Sequence, residues 1–218
     1  MDENGHRHEG EERFGAEGQA AEWDARYSEK EGSMWSGRPN GRLVAEVEEL
    51  APGRALDVGC GEGADAIWLA QRGWTVTAID VSDLAVRRAQ EAAAAADVEV
   101  EWLSGDALRT PLPARSFDLV SVQYPALPKA AGEGSARALL DTVRPGGILL
   151  AVYHDLDDEH RELMASNGHD LADYYGDEDL AALLGDDFTV EQHAVVPRLD
   201  PPPDHKHISD IVLRARRR

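Results

Sequence analysis

From Arg54 onward the chain alternates short apolar runs with stretches whose apolar residues recur at helical spacing. Ala55-Leu56-Asp57-Val58 predicts a buried strand, followed by a helix through Ile67, Leu69 and Ala70 that stops at Gly73. Trp74 to Ile79 is β-branched and predicts a strand ending at Asp80, and Ser82 caps a helix running to about Ala96. Val98-Glu99-Val100-Glu101-Trp102 alternates apolar and charged residues, the pattern of a strand with one wet face at a sheet edge. Phe117 to Val122 predicts the next strand, Ala136 to Val143 a helix and Ile148 to Val152 a fifth strand. Ahead of all these, Leu43, Val44, Val47 and Leu50 mark a helix after Pro39 that ends at Pro52-Gly53.

This cadence specifies a doubly wound α/β domain with a mostly parallel sheet and helices on both faces. Right-handed crossovers give the order third, second, first, fourth, fifth. The remaining apolar runs, Phe188 to Val196 and Ile208 to Leu213, have no helical stretch between them. They are expected to form an antiparallel terminal pair at the far edge, completing a seven-stranded sheet. Residues 1–20 are charged and poor in apolar groups, so a disordered or loosely attached acidic arm is expected there, with one domain over 21–218. Within that domain, 21–50 reads as a lid and helix. The acidic stretch 154–187, with a helical piece at Leu180 to Leu184, reads as a cap inserted over the carboxyl ends of the strands.

Composition narrows the function classes. The 218 residues carry one cysteine, which excludes a disulfide framework. A formal charge of −20 opposes nucleic-acid backbones and anionic membranes, so neither is an expected partner. No apolar run approaches the roughly 20 residues of a membrane span. The opening MDENGHRHEGEER lacks the character of a secretory or transit peptide, and a cytoplasmic protein is expected.

The candidate chemistry lies at the first turn. Gly59-Cys60-Gly61-Glu62-Gly63-Ala64 fits the dinucleotide fingerprint, and Asp80 stands about where that fingerprint needs a ribose-binding carboxylate. Any nucleoside with free ribose hydroxyls satisfies this much. Asp57 just before the glycines, and Glu62 among them, oppose a diphosphate and suit a ligand carrying ammonium and sulfonium groups. Ser104-Gly105-Asp106-Ala107 brings a further carboxylate to the same edge, suited to accept from the exocyclic amine of adenine. Cys60 reads as a small filler, with no neighbouring histidine to activate it, and Trp68, Trp74 and Trp102 read as packing residues. His154 with His160, and His205 with His207, lack the spacing of a closed metal site, and no metal is expected.

The stretches LDVGCGEGADAIWLAQRGWTVTAIDVSDLAVRRAQ, GDALRTPLPARSFDLVSVQ and LLDTVRPGGILLAV, in that order over residues 54–153, resemble the class I S-adenosylmethionine-dependent methyltransferases. The resemblance implies a Rossmann-like fold, S-adenosyl-L-methionine as cofactor with S-adenosyl-L-homocysteine as product, and a small-molecule acceptor, neutral or cationic given the acidic cap. The segment WDARYSEKEGSMWSGRPNGRL is similar to the entry of methyltransferases of the tellurite-resistance and thiopurine type. Carried over residue by residue, Gly59, Cys60, Gly61 and Gly63 line the methionine moiety and Asp57 faces its ammonium group. Asp80 takes the ribose hydroxyls, Val81, Ala107 and Leu108 pack on adenine, Asp106 binds its amine, and Gln123 lies near the methyl group. Tyr27, Trp35 and Arg38 close over the cofactor, Arg38 pairing with its carboxylate, while Tyr124 and His154 are the catalytic candidates at the acceptor pocket. Two other readings stay open on the sequence: an NAD-dependent oxidoreductase, and a non-catalytic S-adenosylmethionine-binding protein.

Overall fold

The computed structural model describes residues 16–166, 169–199 and 208–218. Its strands are β1 (Arg54–Val58), β2 (Thr75–Asp80), β3 (Glu101–Ser104), β4 (Phe117–Gln123), β5 (Val143–His154), β6 (Phe188–Pro197) and β7 (Ser209–Arg217). They form one seven-stranded sheet in the order β3-β2-β1-β4-β5-β7-β6, with β7 antiparallel to both β5 and β6. The α/β class, the strand order and the antiparallel terminal pair all agree with the sequence pattern.

Side chains alternate between the two faces of a strand, and the core divides accordingly. Leu56 and Val58 of β1 belong to one cluster, with Val120, Leu149 and the helices α5 (Glu133–Asp141) and α7 (Asp177–Leu184). Ala55 belongs to the other, with Leu150, Val212 and the helices α2 (Gly41–Val47) and α3 (Ala64–Gln71). Helix α4 (Asp83–Ala95) buries Ala85, Val86, Ala89 and Ala93. Its N-cap Ser82 accepts from the Ala85 amide at 3.1 Å, as the sequence led one to expect.

Three stretches differ from the pattern, each for a local reason. The edge strand starts at Glu101 and not at Val98, because Asp97 takes a left-handed conformation (φ 55°) and the Val98 amide bonds back to Ala93 O at 3.2 Å. Those residues close the helix instead of entering the sheet. The helix expected over Ala136–Val143 runs from Glu133 to Asp141, and Val143 pairs with Phe117 as the start of β5. Residues 16–20, assigned above to a loose arm, form the first turns of α1 (Ala16–Ser28), where buried Gln19 donates to Ala126 O at 3.4 Å. The rest of that arm, 1–15, lies outside the described residues, as do His205 and His207.

The acidic stretch 154–187 divides in two. Leu180, Leu183 and Leu184 of α7 are buried in the main core, so this helix covers the sheet. Helix α6 (Asp158–Ser166) and the turn at Leu171–Asp173 precede it. Tyr175 donates its amide to Leu127 O at 2.8 Å, just past the end of β4, and Arg26 of α1 reaches His169 at 2.5 Å. Those contacts bring the N-terminal helix and the cap together at the strand ends.

Candidate functional site

β1 ends in a loop that bends over β2: the Gly59 and Cys60 amides both donate to Ile79 O, at 2.8 and 3.1 Å. Gly59 and Gly61 take left-handed conformations (φ 71° and 52°), which a glycine tolerates at little cost. A Cβ on Gly59 meets nothing within 4 Å, so open space lies above this residue. A Cβ on Gly61 meets Tyr27 Oη at 2.9 Å, which puts Tyr27 directly against the loop. Gly63 serves a different purpose. The space beside it is taken by the Trp102 ring, at 2.6 Å from a built Cβ, and by Ala89 at 2.9 Å. Gly63 is thus required for the packing of the loop against Trp102 and Ala89.

Three carboxylates converge beneath this loop. Asp57, on the same face of β1 as Ala55, is 2% exposed and its Oδ2 has no hydrogen-bond partner. Burial, reinforced by the charges of Asp65 and Asp80, pushes its carboxyl well above the usual range, against the Ala66 amide that lowers it. Burial likewise raises Asp65, although Asn40 donates both its backbone amide (2.6 Å) and its side-chain amide (2.7 Å). Asp80 is raised by burial and accepts from the Ser82 amide at 2.9 Å and the Gly61 amide at 2.8 Å. Burial and the charges of Asp57 and Asp80 also raise the Cys60 thiol, which keeps it a neutral filler. A buried carboxylate with an orphaned oxygen is costly alone and is relieved by a cation with donors to offer.

This arrangement fixes the sign of a pH effect. Because Asp57, Asp65 and Asp80 are raised on folding, the native chain binds more protons than the unfolded one above the ordinary carboxylate range. Their stabilising contribution is full below that range and is lost as pH rises through the raised values. The ligand-free protein is therefore expected to lose melting temperature as pH rises above the ordinary carboxylate range, with a shallower slope in Asp57→Asn. Melting curves across that window check it.

Around the glycine loop the N-terminal segment forms a strap. Glu62 turns outward, accepting from Ser33 Oγ (2.5 Å) and the amides of Met34 and Trp35 (2.9 and 3.1 Å), and pairs with Arg88 at 3.0 Å. Burial raises its carboxyl, but these hydrogen bonds outweigh that and hold it below its usual value. Its charge is thus spent on the strap and does not bias the loop toward a cation, as the sequence had suggested. Trp35 Nε1 donates to Tyr27 Oη at 3.1 Å, while Arg38 is exposed and it is Arg88 that grips the strap, through Tyr27 O and Lys30 O. Asp24 of α1 accepts from Ser82 Oγ at 2.5 Å and the Leu84 amide at 3.1 Å, docking the strap's root on the start of α4. Glu62→Ala is expected to speed hydrogen exchange at the Met34 and Trp35 amides about tenfold or more, since each charge-assisted bond contributes about 1.5–3 kcal/mol.

The other expected residues fall along the same sheet edge. Asp106 uses both oxygens within its own turn, accepting from the Leu108 amide (2.8 Å) and Arg109 Nε (3.1 Å). Leu108 is buried in the core with Ala107 packed against it, and a cleft of about 270 Å³ lies between that turn and α5, containing no glycine-loop residue. Val81 is half-buried beside Asp80. Gln123 closes β4 with Nε2 on Ser121 Oγ at 3.1 Å and a buried Oε1 that has no partner. Tyr124 and His154 do come together, their rings stacked with centroids 4.2 Å apart. Sequence reasoning missed Asn40 with Asp65, the Glu62–Arg88 latch, and the groups around Tyr124. Among the described residues, no three His, Cys, Asp or Glu side chains are grouped to hold a metal ion. None of the described helices is long and apolar enough to cross a membrane.

The comparisons with known proteins match the stretch that carries the glycine loop. Residues 55–147 match the methyltransferase-domain family, the span from β1 into β5. A 2-methyl-6-phytyl-1,4-hydroquinone methyltransferase from Synechocystis is 40% identical over 117 residues, 51% of this chain and 36% of the relative. A ubiquinone biosynthesis O-methyltransferase from Pseudomonas entomophila is 35% identical over 106 residues, 48% of this chain and 45% of the relative. The chain thus spans less than half the length of these curated relatives. A solved structure described as "Conversion of a Disulfide Bond into a Thioacetal Group during Echinomycin Biosynthesis" superposes with a TM-score of 0.71 at 24% identity, covering 91% of this chain and 92% of that one. Residues 55–147 thus match a methyltransferase domain, carried on a seven-stranded α/β sheet whose fold the solved structure shares.

Proposed function

We propose that the protein transfers a methyl group from S-adenosylmethionine to a small-molecule acceptor. The observations that carry this reading are the orphaned, buried Asp57 Oδ2 at the end of β1 and the open Cβ direction at Gly59, in the turn that follows. A diphosphate is repelled from such a place; the ammonium group of an amino-acid tail supplies both the charge and the donors it lacks. Asp57 takes that group, Gly59, Cys60 and Gly61 leave room for the chain behind it, and Asp80 accepts from the ribose hydroxyls. Val81, Asp106, Ala107 and Leu108 form the adenine end, and Gln123, with its own free acceptor, borders the reacting methyl group. Tyr27 and Trp35 close the tail from outside.

The bound sulfonium supplies a methyl group already activated for displacement. The chain's own residues then have to align the acceptor and keep water out, which positioning alone accelerates greatly, by effective molarities of about 10⁵–10⁸ M. A small-molecule acceptor is supported by the quinol substrate in one relative's name and the quinone pathway in the other's, and a formal charge of −20 disfavours nucleic acid. The test is a methyl-transfer assay of the full chain with labelled S-adenosylmethionine and a panel of hydroquinones, catechols, amines and thiols. Labelled product from one of these classes is expected. A chain that binds the cofactor yet labels none of them contradicts the enzymatic reading.

A further inference from the structure

Because β7 runs antiparallel to its neighbours, its first residues reach the sheet edge where β4 and β5 end. Asp210 there lies opposite His154 of β5, and Tyr124, the first residue past β4, donates its hydroxyl to Asp210 Oδ1 at 3.1 Å. The Arg198 guanidinium stands 5.1 Å from the Tyr124 ring centre, with Nη1 3.3 Å from His154 Nδ1. Arg42 of α2 adds a second positive charge felt by Asp210, and Asp65 a negative one felt by Tyr124.

Three features set this group apart from ordinary packing. Asp210 is 1% exposed, yet its Oδ2 has no hydrogen-bond partner. Tyr124 holds a left-handed backbone (φ 48°), a strain of about 1–3 kcal/mol that is retained chiefly at functional sites. Tyr124 is also only half-buried, whereas its partner Asp210 is sealed. It directly follows Gln123, which places the pair on the acceptor side of the cofactor half of the edge.

We propose that Tyr124 contacts the acceptor and that Asp210, acting through it, takes up the acceptor's proton, the acceptor being a small neutral molecule with a phenolic hydroxyl. This rests on the methyltransferase reading above. The acceptor oxygen forms its bond to the methyl carbon as the carbon–sulfur bond breaks, that electron pair staying on sulfur. The acceptor's proton passes to Tyr124 Oη while the Tyr124 proton moves to Asp210 Oδ1, and Asp210 later returns it to water. Arg198 and Arg42 favour an oxyanion and oppose an ammonium at this place. Burial raises the Asp210 carboxyl against Tyr124, Arg198 and Arg42, which lower it, and so brings its proton affinity nearer that of a phenol. An aliphatic alcohol lies too far above any carboxylate for this relay.

The test compares the full-length wild type with Asp210→Asn and Tyr124→Phe on two probes, catechol and 4-nitrophenol, above neutral pH where the first is protonated and the second largely ionised. Both variants are expected to lose about a hundredfold or more in kcat/KM on catechol, the range of general-base catalysis. 4-Nitrophenol, which has no proton to give, loses far less, so the ratio between the probes falls at least tenfold. The wild-type catechol profile rises with pH as Asp210 loses its proton, and Asp210→Asn removes that rise. Binding of S-adenosylhomocysteine to both variants checks folding and the cofactor half independently. Equal losses on both probes, an unaltered catechol rate, or a wild type that binds S-adenosylhomocysteine but methylates neither probe overturns the proposal alone. Absence of any S-adenosylhomocysteine binding overturns the methyltransferase reading together with it.

Discussion

Asp57→Asn is expected to weaken S-adenosylhomocysteine binding roughly 10- to 150-fold while raising the melting temperature of the ligand-free protein. The two effects have opposite signs because they share one cause. Asp57 is sealed from solvent with Oδ2 unpartnered, and Asp65 and Asp80 repel its charge. The folded chain carries that cost without a ligand, and Asn keeps the shape while removing the charge. With a ligand present, the ammonium group loses a charged hydrogen-bond partner, a difference of about 1.5–3 kcal/mol. One decade in affinity corresponds to about 1.36 kcal/mol, which gives the range stated. Calorimetric titration and melting curves on the same preparation measure both. A variant with lower stability and unchanged affinity contradicts the assignment of Asp57 as a ligand-facing group.

Gly63→Ala is expected to give the largest loss of stability of any single methyl added to the glycine loop. The new Cβ falls 2.6 Å from the Trp102 ring and 2.9 Å from Ala89 Cβ, in a backbone held at φ 83°. The left-handed conformation costs a non-glycine residue about 1–2 kcal/mol, and overpacking about 1–3 kcal/mol more. For a chain of this length the sum lowers the melting temperature by on the order of 10 °C. Gly134→Ala is the matched control. Its added Cβ in α5 meets nothing within 4 Å, and a helical Gly-to-Ala change stabilises by about 0.5–1 kcal/mol. Melting temperatures of the two variants moving in the same direction contradict the packing role of Gly63.

Much of the sheet is readable from the chain because its strands are short apolar runs with helices between them. The 3-2-1-4-5 order and the terminal pair follow from that cadence and from crossover handedness. What the pattern hides is decided by single backbone conformations and by contacts across long separations. Asp97 at φ 55° ends the apparent edge strand before it starts, and no alternation of apolar residues signals that. Asp57 and Glu62 look equivalent as acids flanking the glycines, yet the turn buries one and directs the other outward to Arg88 and the strap. Arg38 and Arg88 are likewise indistinguishable as cations until α4 is docked beside the strap. Tyr124 stands out as a residue at a strand end, but its partner Asp210 lies 86 positions away and meets it only because β7 enters the sheet in reverse.

Titrating the full chain with S-adenosylhomocysteine and, separately, with NAD decides which ligand the first glycine turn accommodates. S-adenosylhomocysteine is expected to bind and to stabilise the fold by about 2.7 kcal/mol at a hundredfold excess over its Kd, with no protection by NAD. Protection by NAD and none by S-adenosylhomocysteine means that the loop takes a diphosphate, and that the buried carboxylates beneath it serve some other purpose.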